Sequence, residues 1–195
     1  MIRLPAYGLF LLAMSFTSFA APELPLGATL PELKGEYLSG RKAILPRDST
    51  NRVALLLFGF SYQSRFAVEA WTKSFRTDFA NNPQVTFYEI PIIGGMARMG
   101  KWFIDSGMRR GTPKSDHENV ITVYGGTDVW KQRLGVKSED AAYLILLDQK
   151  GNIAWRHAGP FDEVQYKKLA ERVRALVPVL GRSWNRMHVT ESYEH

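Results

Sequence analysis

Val53-Ala-Leu-Leu-Leu-Phe-Gly-Phe-Ser-Tyr-Gln-Ser-Arg65 governs the reading of the whole chain. Val53–Phe58 is a continuous apolar run. Such runs suit a strand covered on both faces of a sheet. From Arg65 onward the pattern turns helical: Ala67, Ala70, Trp71, Ser74 and Phe75 recur at spacings of three and four. Between strand and helix lies Ser61-Tyr62-Gln63-Ser64. The start of a helix favours negative charge, so a strand–loop–helix junction is a natural seat for a reactive thiolate pair two residues apart. Both positions here are serine, and the chain contains no cysteine. A serine hydroxyl is not appreciably ionised near neutral pH and cannot exchange with a disulfide. Serine is, however, a preferred helix cap.

The chain has 195 residues, 45% hydrophobic and 23% charged, with a formal net charge of +6. That balance describes one globular domain. The first 20 residues differ. Met1-Ile2-Arg3 is short and basic, Leu4–Phe16 is mostly apolar, and Ser18-Phe19-Ala20 supplies small residues at the positions a signal peptidase reads. This is a secretory pattern with cleavage expected after Ala20, which places the mature chain outside the cytoplasm, in a periplasm. The apolar part is shorter than the roughly 20 residues of a spanning helix. Without cysteine no lipid anchor, disulfide, zinc–thiolate or iron–sulfur site is available. The positive charge favours an anionic membrane surface or acidic partners. Lysines and arginines are dispersed, which argues against nucleic acid.

Residues 21–50 are rich in proline and glycine and read as an extended arm followed by a short hairpin. Residues 51–178 read as the main domain and 179–195 as a polar tail. Val85–Ile90 is a second strand. Met96–Gly107 reads as a helix, Arg109–Pro113 as a loop, Val120–Tyr124 as a strand and Val129–Leu134 as a short helix. Tyr143–Leu147, Asp148–Gly151 and Asn152–Trp155 form the clearest hairpin. Asp162-Glu-Val-Gln165 opens the last helix as a capping box. The order is β-α-β-α-β-α-β-β-α, which calls for a parallel first part closed by an antiparallel hairpin.

Several groups are candidates for function. Arg109, Arg110, Asp116 and His117 are the densest polar cluster. Arginine forks suit carboxylates, phosphates or lipid headgroups, and Asp116 is placed in sequence to orient His117. Met96, Met99, Trp102 and Phe103 lie in an apolar, glycine-hinged stretch punctuated by Arg98 and Lys101. Methionines adapt to varied apolar surfaces, and bases beside aromatics suit a membrane interface. An ordinary core-packed helix accounts for the same stretch. A serine nucleophile at Ser61 or Ser64 needs a histidine base, for which His117 and His157 are the candidates within the domain. No phosphate loop, dinucleotide fingerprint or metal-ligand spacing is present, so no cofactor or metal is expected.

From Leu24 to Leu176 the chain resembles the thioredoxin-like superfamily. Two stretches, Leu56–Ser64 with Trp71–Phe75 and Gly107–Pro113 with His117, are similar to the ATPase complex subunit 10 family of mitochondrial assembly factors and its bacterial relatives. The resemblance implies a redoxin-type three-layer α/β/α fold with a central mixed sheet. It also implies a redox-inactive protein that chaperones a protein client, as in assembly of a membrane complex. It aligns the cis-proline that faces the thiol pair in thioredoxins with Ala142, so pair and proline are both missing. The competing expectation is a cysteine-independent enzyme or small-anion-binding protein using the region of Arg109, Arg110 and His117.

Overall fold

Strand β3 (Val53–Gly59) is buried at every residue. Its odd and even side chains enter two different cores. Val53, Leu55 and Leu57 join one, and Ala54, Leu56 and Phe58 the other. A strand can do this only where both faces are roofed. The computed structural model, which describes residues 23–94 and 100–177, supplies both roofs. The secretory segment 1–20, Met96, Met99 and the tail 179–195 lie outside the described residues.

Seven strands form one mixed sheet. They are β1 (Leu33–Tyr37), β2 (Lys42–Leu45), β3, β4 (Val85–Ile93), β5 (Ile121–Tyr124), β6 (Ala142–Leu147) and β7 (Ile153–Gly159), ordered β2-β1-β5-β4-β3-β6-β7. β3, β4 and β5 run parallel, and β6 and β7 close the sheet antiparallel. The sequence points to β3 as the middle strand. The middle is β4, one place over, because the N-terminal hairpin adds two strands beyond β5 while only β7 lies beyond β6. The arm and hairpin of residues 21–50 thus continue the main sheet. Residues 24–30 also lace onto the far end of the chain through Gly27 N–H to the Ile153 carbonyl (2.8 Å) and Ile153 N–H to the Ala28 carbonyl (2.9 Å).

Helix α1 (Ser64–Phe79) buries Ser64, Val68, Trp71, Thr72, Phe75 and Phe79. The stripe is rotated from the expected one. Trp71 and Phe75 hold their places, but Val68 and Phe79 displace Ala67 and Ala70, since larger apolar side chains remove more area from water. Helix α4 (Glu163–Leu176) packs beside it. The Asp162 carboxylate accepts from Gln165 N–H at 2.8 Å, the capping expected from the sequence. Helix α2 (Lys101–Gly111) continues through Arg109 and Arg110, which the sequence reading assigned to a loop. Basic residues in a last turn face the negative end of the helix dipole, which favours the extra turn. On the opposite face α3 (Thr127–Leu134) contributes Trp130 and Leu134, with Trp130 stacked on Phe58 at 5.7 Å. Gly135, at φ 64°, ends it with N–H bonds that a left-handed glycine permits.

Trp71 ties the layers together. It is fully buried, donates from its ring nitrogen to the Gly159 carbonyl (3.3 Å), and packs on Phe161 (5.2 Å) and His157 (5.3 Å). Trp71→Ala should destabilise the fold by about 3–5 kcal/mol. Urea unfolding followed by circular dichroism measures this. A loss below about 1 kcal/mol would show that the site collapses around the missing ring.

Candidate functional site

The junction between β3 and α1 is a closed hydrogen-bond knot. The Ser61 hydroxyl accepts from Gln63 N–H and Ser64 N–H, both at 3.1 Å, and donates to the Asp140 carboxylate at 2.7 Å. The Ser64 hydroxyl donates to the Ser61 carbonyl at 2.7 Å and accepts from Ser61 N–H at 3.3 Å. The two serines therefore cap the helix, and each hydroxyl proton is already given to an acceptor. Neither histidine is hydrogen-bonded to either serine. The His117 ring meets the Thr112 carbonyl at 3.1 Å. His157 packs on Trp71 and Trp155, where burial lowers its basicity. Ala142 is fully buried as the first residue of β6, paired with Gly159. Asp140, two residues before it, is the group that reaches Ser61.

The polar cluster is divided among structural tasks. Arg109 donates from Nε to the Leu38 carbonyl at 2.7 Å and lies 4.0 Å from Glu36, so it fastens α2 to the N-terminal hairpin. Arg110, the next residue, is exposed. Asp116 faces Arg76 of α1 rather than His117, accepting from two guanidinium nitrogens at 2.5 and 3.2 Å. Arg76 holds the Asp116 carboxyl below the usual carboxylate range.

Trp102 and Phe103 are 70% and 74% exposed at the start of α2, with their rings 4.9 Å apart edge to face. Across from them, Tyr62 and Phe66 at the start of α1 are 70% and 52% exposed, their rings also edge to face at 6.4 Å. The Arg65 guanidinium covers both of these rings at 4.3 and 4.6 Å. Tyr62 and Phe103 line opposite sides of a cleft of about 550 Å³ between α1 and α2. Its walls are Val68, Ile104 and Met108, and its floor is Leu57, Ile90 and Glu89.

Glu89 is the surprise of this cleft. It lies on β4 beside Leu57 of β3, half-buried; its N–H donates to the Asn119 carbonyl at 2.8 Å, and its carboxylate makes no ion pair with any described residue. The Thr72 hydroxyl is buried beside the carboxylate and has no other partner among the described residues. Burial pushes the Glu89 carboxyl above the ordinary carboxylate range. The Thr72 hydroxyl and Arg76 oppose that push, and the charges of Glu69 and Asp116 add to it.

Three solved structures bear on this arrangement. A DsbE-type thiol:disulfide interchange protein from Chlorobium tepidum aligns with a TM-score of 0.54 and 16% identity, over 79% of this chain and 99% of its own. The thioredoxin domain of a thiol-disulfide oxidoreductase from Bacteroides vulgatus aligns at 0.53 and 20% identity, over 77% and 99%. A peroxiredoxin-like protein from Aquifex aeolicus aligns at 0.51 and 18% identity, over 78% and 90%. The fold is thioredoxin-like. No family model matches the sequence, and no curated protein matches it. At these identities the likeness is one of fold. Where the named oxidoreductases work through thiols, this chain has none, so thiol–disulfide exchange through its own side chains is closed to it.

The sequence reading brought Trp102 and Phe103 forward but missed Tyr62, Phe66 and Glu89. For two of them the sequence holds a faint signal, which gains meaning only from the packing. Phe66 is an aromatic off the apolar stripe of its helix, and Glu89 is a charge within a strand that must be covered on both faces.

Two predictions follow from the charges. Arg109→Glu should cost about 1–3 kcal/mol, through loss of the Leu38 bond and repulsion by Glu36, whereas Arg110→Glu should stay within about 0.5 kcal/mol of wild type. Equal melting temperatures for the two variants would remove Arg109 from its structural role. Glu89→Gln should be more stable than wild type near neutral pH. The raised carboxyl favours the fold while protonated, below the ordinary carboxylate pKa, and that favour is lost as pH rises through the raised value. The advantage of Gln should therefore shrink on acidification. Thermal melts at about pH 4 and about pH 8 read the difference, and an advantage independent of pH would mean that Glu89 is not the titrating group.

Proposed function

We propose that this chain is a redox-inactive thioredoxin-like protein that binds another protein, as an assembly or chaperone factor beside a membrane and outside the cytoplasm. The observation that carries the reading is the pair of exposed aromatic lips, Tyr62–Phe66 and Trp102–Phe103, facing each other across the α1–α2 cleft. Four large aromatic residues left in water on two adjacent helices are costly unless a partner covers them. Binding hot spots favour such residues. The serine knot at the β3–α1 junction supports a non-catalytic role, since it spends the hydroxyls on the helix cap. The resemblance of Leu56–Ser64 and Gly107–Pro113 to assembly factors supports a client drawn from a membrane complex. The secretory pattern of residues 1–20 supports export, and the net charge of +6 supports closeness to an anionic surface. An anion-binding or enzymatic role for Arg109, Arg110 and His117 is the weaker reading, because Arg109 is engaged with Leu38 and Asp116 with Arg76.

The test is site-specific photo-cross-linking in intact envelopes. A photoreactive phenylalanine analogue at Phe103 should yield one discrete cross-linked protein, reduced by Tyr62→Ala. The same analogue at Val164, exposed on α4, should not. Equal yields from both positions would remove the cleft as the binding surface.

A further inference from the structure

We propose that the α1–α2 cleft seats a cationic side chain, a lysine or arginine flanked by apolar residues in the partner peptide, with its head against the Glu89 carboxylate. This rests on the protein-binding reading and names what that site recognises. The cleft is acidic within a chain of net charge +6. Glu89 lines its floor and Glu69 its α1 wall, and neither is ion-paired to any described residue. Among the described residues, the two arginines nearest the cleft are occupied. Arg76 is forked onto Asp116, and Arg65 is spread over the Tyr62 and Phe66 rings.

The surroundings sharpen the choice of ligand. An unpaired carboxylate among Leu57, Val68, Ile90, Ile104 and Met108 loses hydration without receiving a partner. The Thr72 hydroxyl, 5% exposed beside it, is the neutral group that lowers its charge cost, and no cation among the described residues does the same at close range. A carboxylate accepts only, and a hydroxyl both donates and accepts. A charged N–H donor in the cleft satisfies the Glu89 carboxylate. Its stem must be apolar to lie along the walls, as lysine and arginine stems do. The aromatic lips favour a cation passing between them. Phe66 and Trp102 extend the apolar surface beyond the cleft, where neighbours of the basic residue in a peptide would rest. A free small amine would leave them bare.

The experiment uses the full chain and two fluorescent peptides, acetyl-Leu-Leu-Lys-Leu-Leu-amide and its counterpart with norleucine for lysine, followed by anisotropy. Wild type should prefer the lysine peptide by roughly tenfold, the worth of one charged hydrogen bond. Glu89→Gln should erase that preference without weakening norleucine binding, since it removes the carboxylate that an apolar side chain would desolvate. Met108→Lys, which supplies a cation from the protein itself, should erase it as well. Acidification should weaken the preference in wild type, with Glu69, Arg76, Asp116 and Arg65 as the other charges around Glu89, and should have no such effect in Glu89→Gln. A preference that survives in Glu89→Gln overturns the proposal, as does failure of both peptides to bind. Equal binding of the two peptides that still requires Phe103 would leave the protein-binding reading standing and overturn the cation seat alone. Displacement of both peptides by phosphatidylglycerol vesicles, equally in wild type and Glu89→Gln, would assign the lips to a membrane and overturn it too.

Discussion

Burial of β3 on both faces is the constraint from which the other features descend. Seven consecutive residues with no exposed edge or face demand hydrogen-bonding strands on each side and a helical layer above and below. β4 and β6 satisfy the backbone. α1 and α4 cover Val53, Leu55 and Leu57, and α3 with the N-terminal hairpin covers Ala54, Leu56 and Phe58. Because β3 points its last residue straight at the start of α1, the turn between them has little freedom. Gly59 lies so close to the Ser64 side chain that a Cβ there would sit 2.6 Å from its hydroxyl oxygen. The serine pair completes that turn.

Much of this was legible from sequence because hydrophobic burial has a period. The strands β3 and β6, the β6–β7 turn and the capped start of α4 all follow from apolar runs, turn residues or a cap at fixed spacing. The errors arise where burial depends on tertiary context. The stripe of α1 rotated towards Val68 and Phe79, since periodicity alone does not weigh a valine against an alanine. The end of β7, Arg156-His-Ala-Gly159, has no strand pattern and is extended by pairing with β6. Arg109 and Arg110 look like loop residues beside Gly111 and Pro113, yet the carbonyl of Leu38, 71 residues earlier, gives Arg109 a reason to stay helical.

The candidate site was less legible for a related reason. Sequence reasoning ranks residues by chemical character, and so it favoured Arg109, Asp116 and His117. Their character is consumed by neighbours that are distant in the chain: Leu38, Arg76 and Thr112. Glu89 drew no notice, because one glutamate in a strand is unremarkable until the structure shows which helices stand over it. Exposure of Tyr62 and Phe66 was similarly hidden. Only the final rotation of α1 decides which aromatic side chains face water.

The serine turn and the Glu89 cleft meet at the N-terminus of α1. The Ser61–Asp140 bond closes the helix start towards β6, the side on which Ala142 begins its strand. The cleft starts from the same turn, lined by Gly59, Ser61 and Ser64, and runs towards Glu89 and α2. The residues at the two serine positions must satisfy the helix N-terminus while they line the mouth of the cleft. Serine does so at both positions, with a hydroxyl that accepts main-chain N–H groups where a thiol accepts only weakly. The serines thus stabilise the start of α1 at the mouth of the cleft, and the Glu89 carboxyl, its pKa raised by burial at the cleft's floor, is a stability cost that the cap helps to offset.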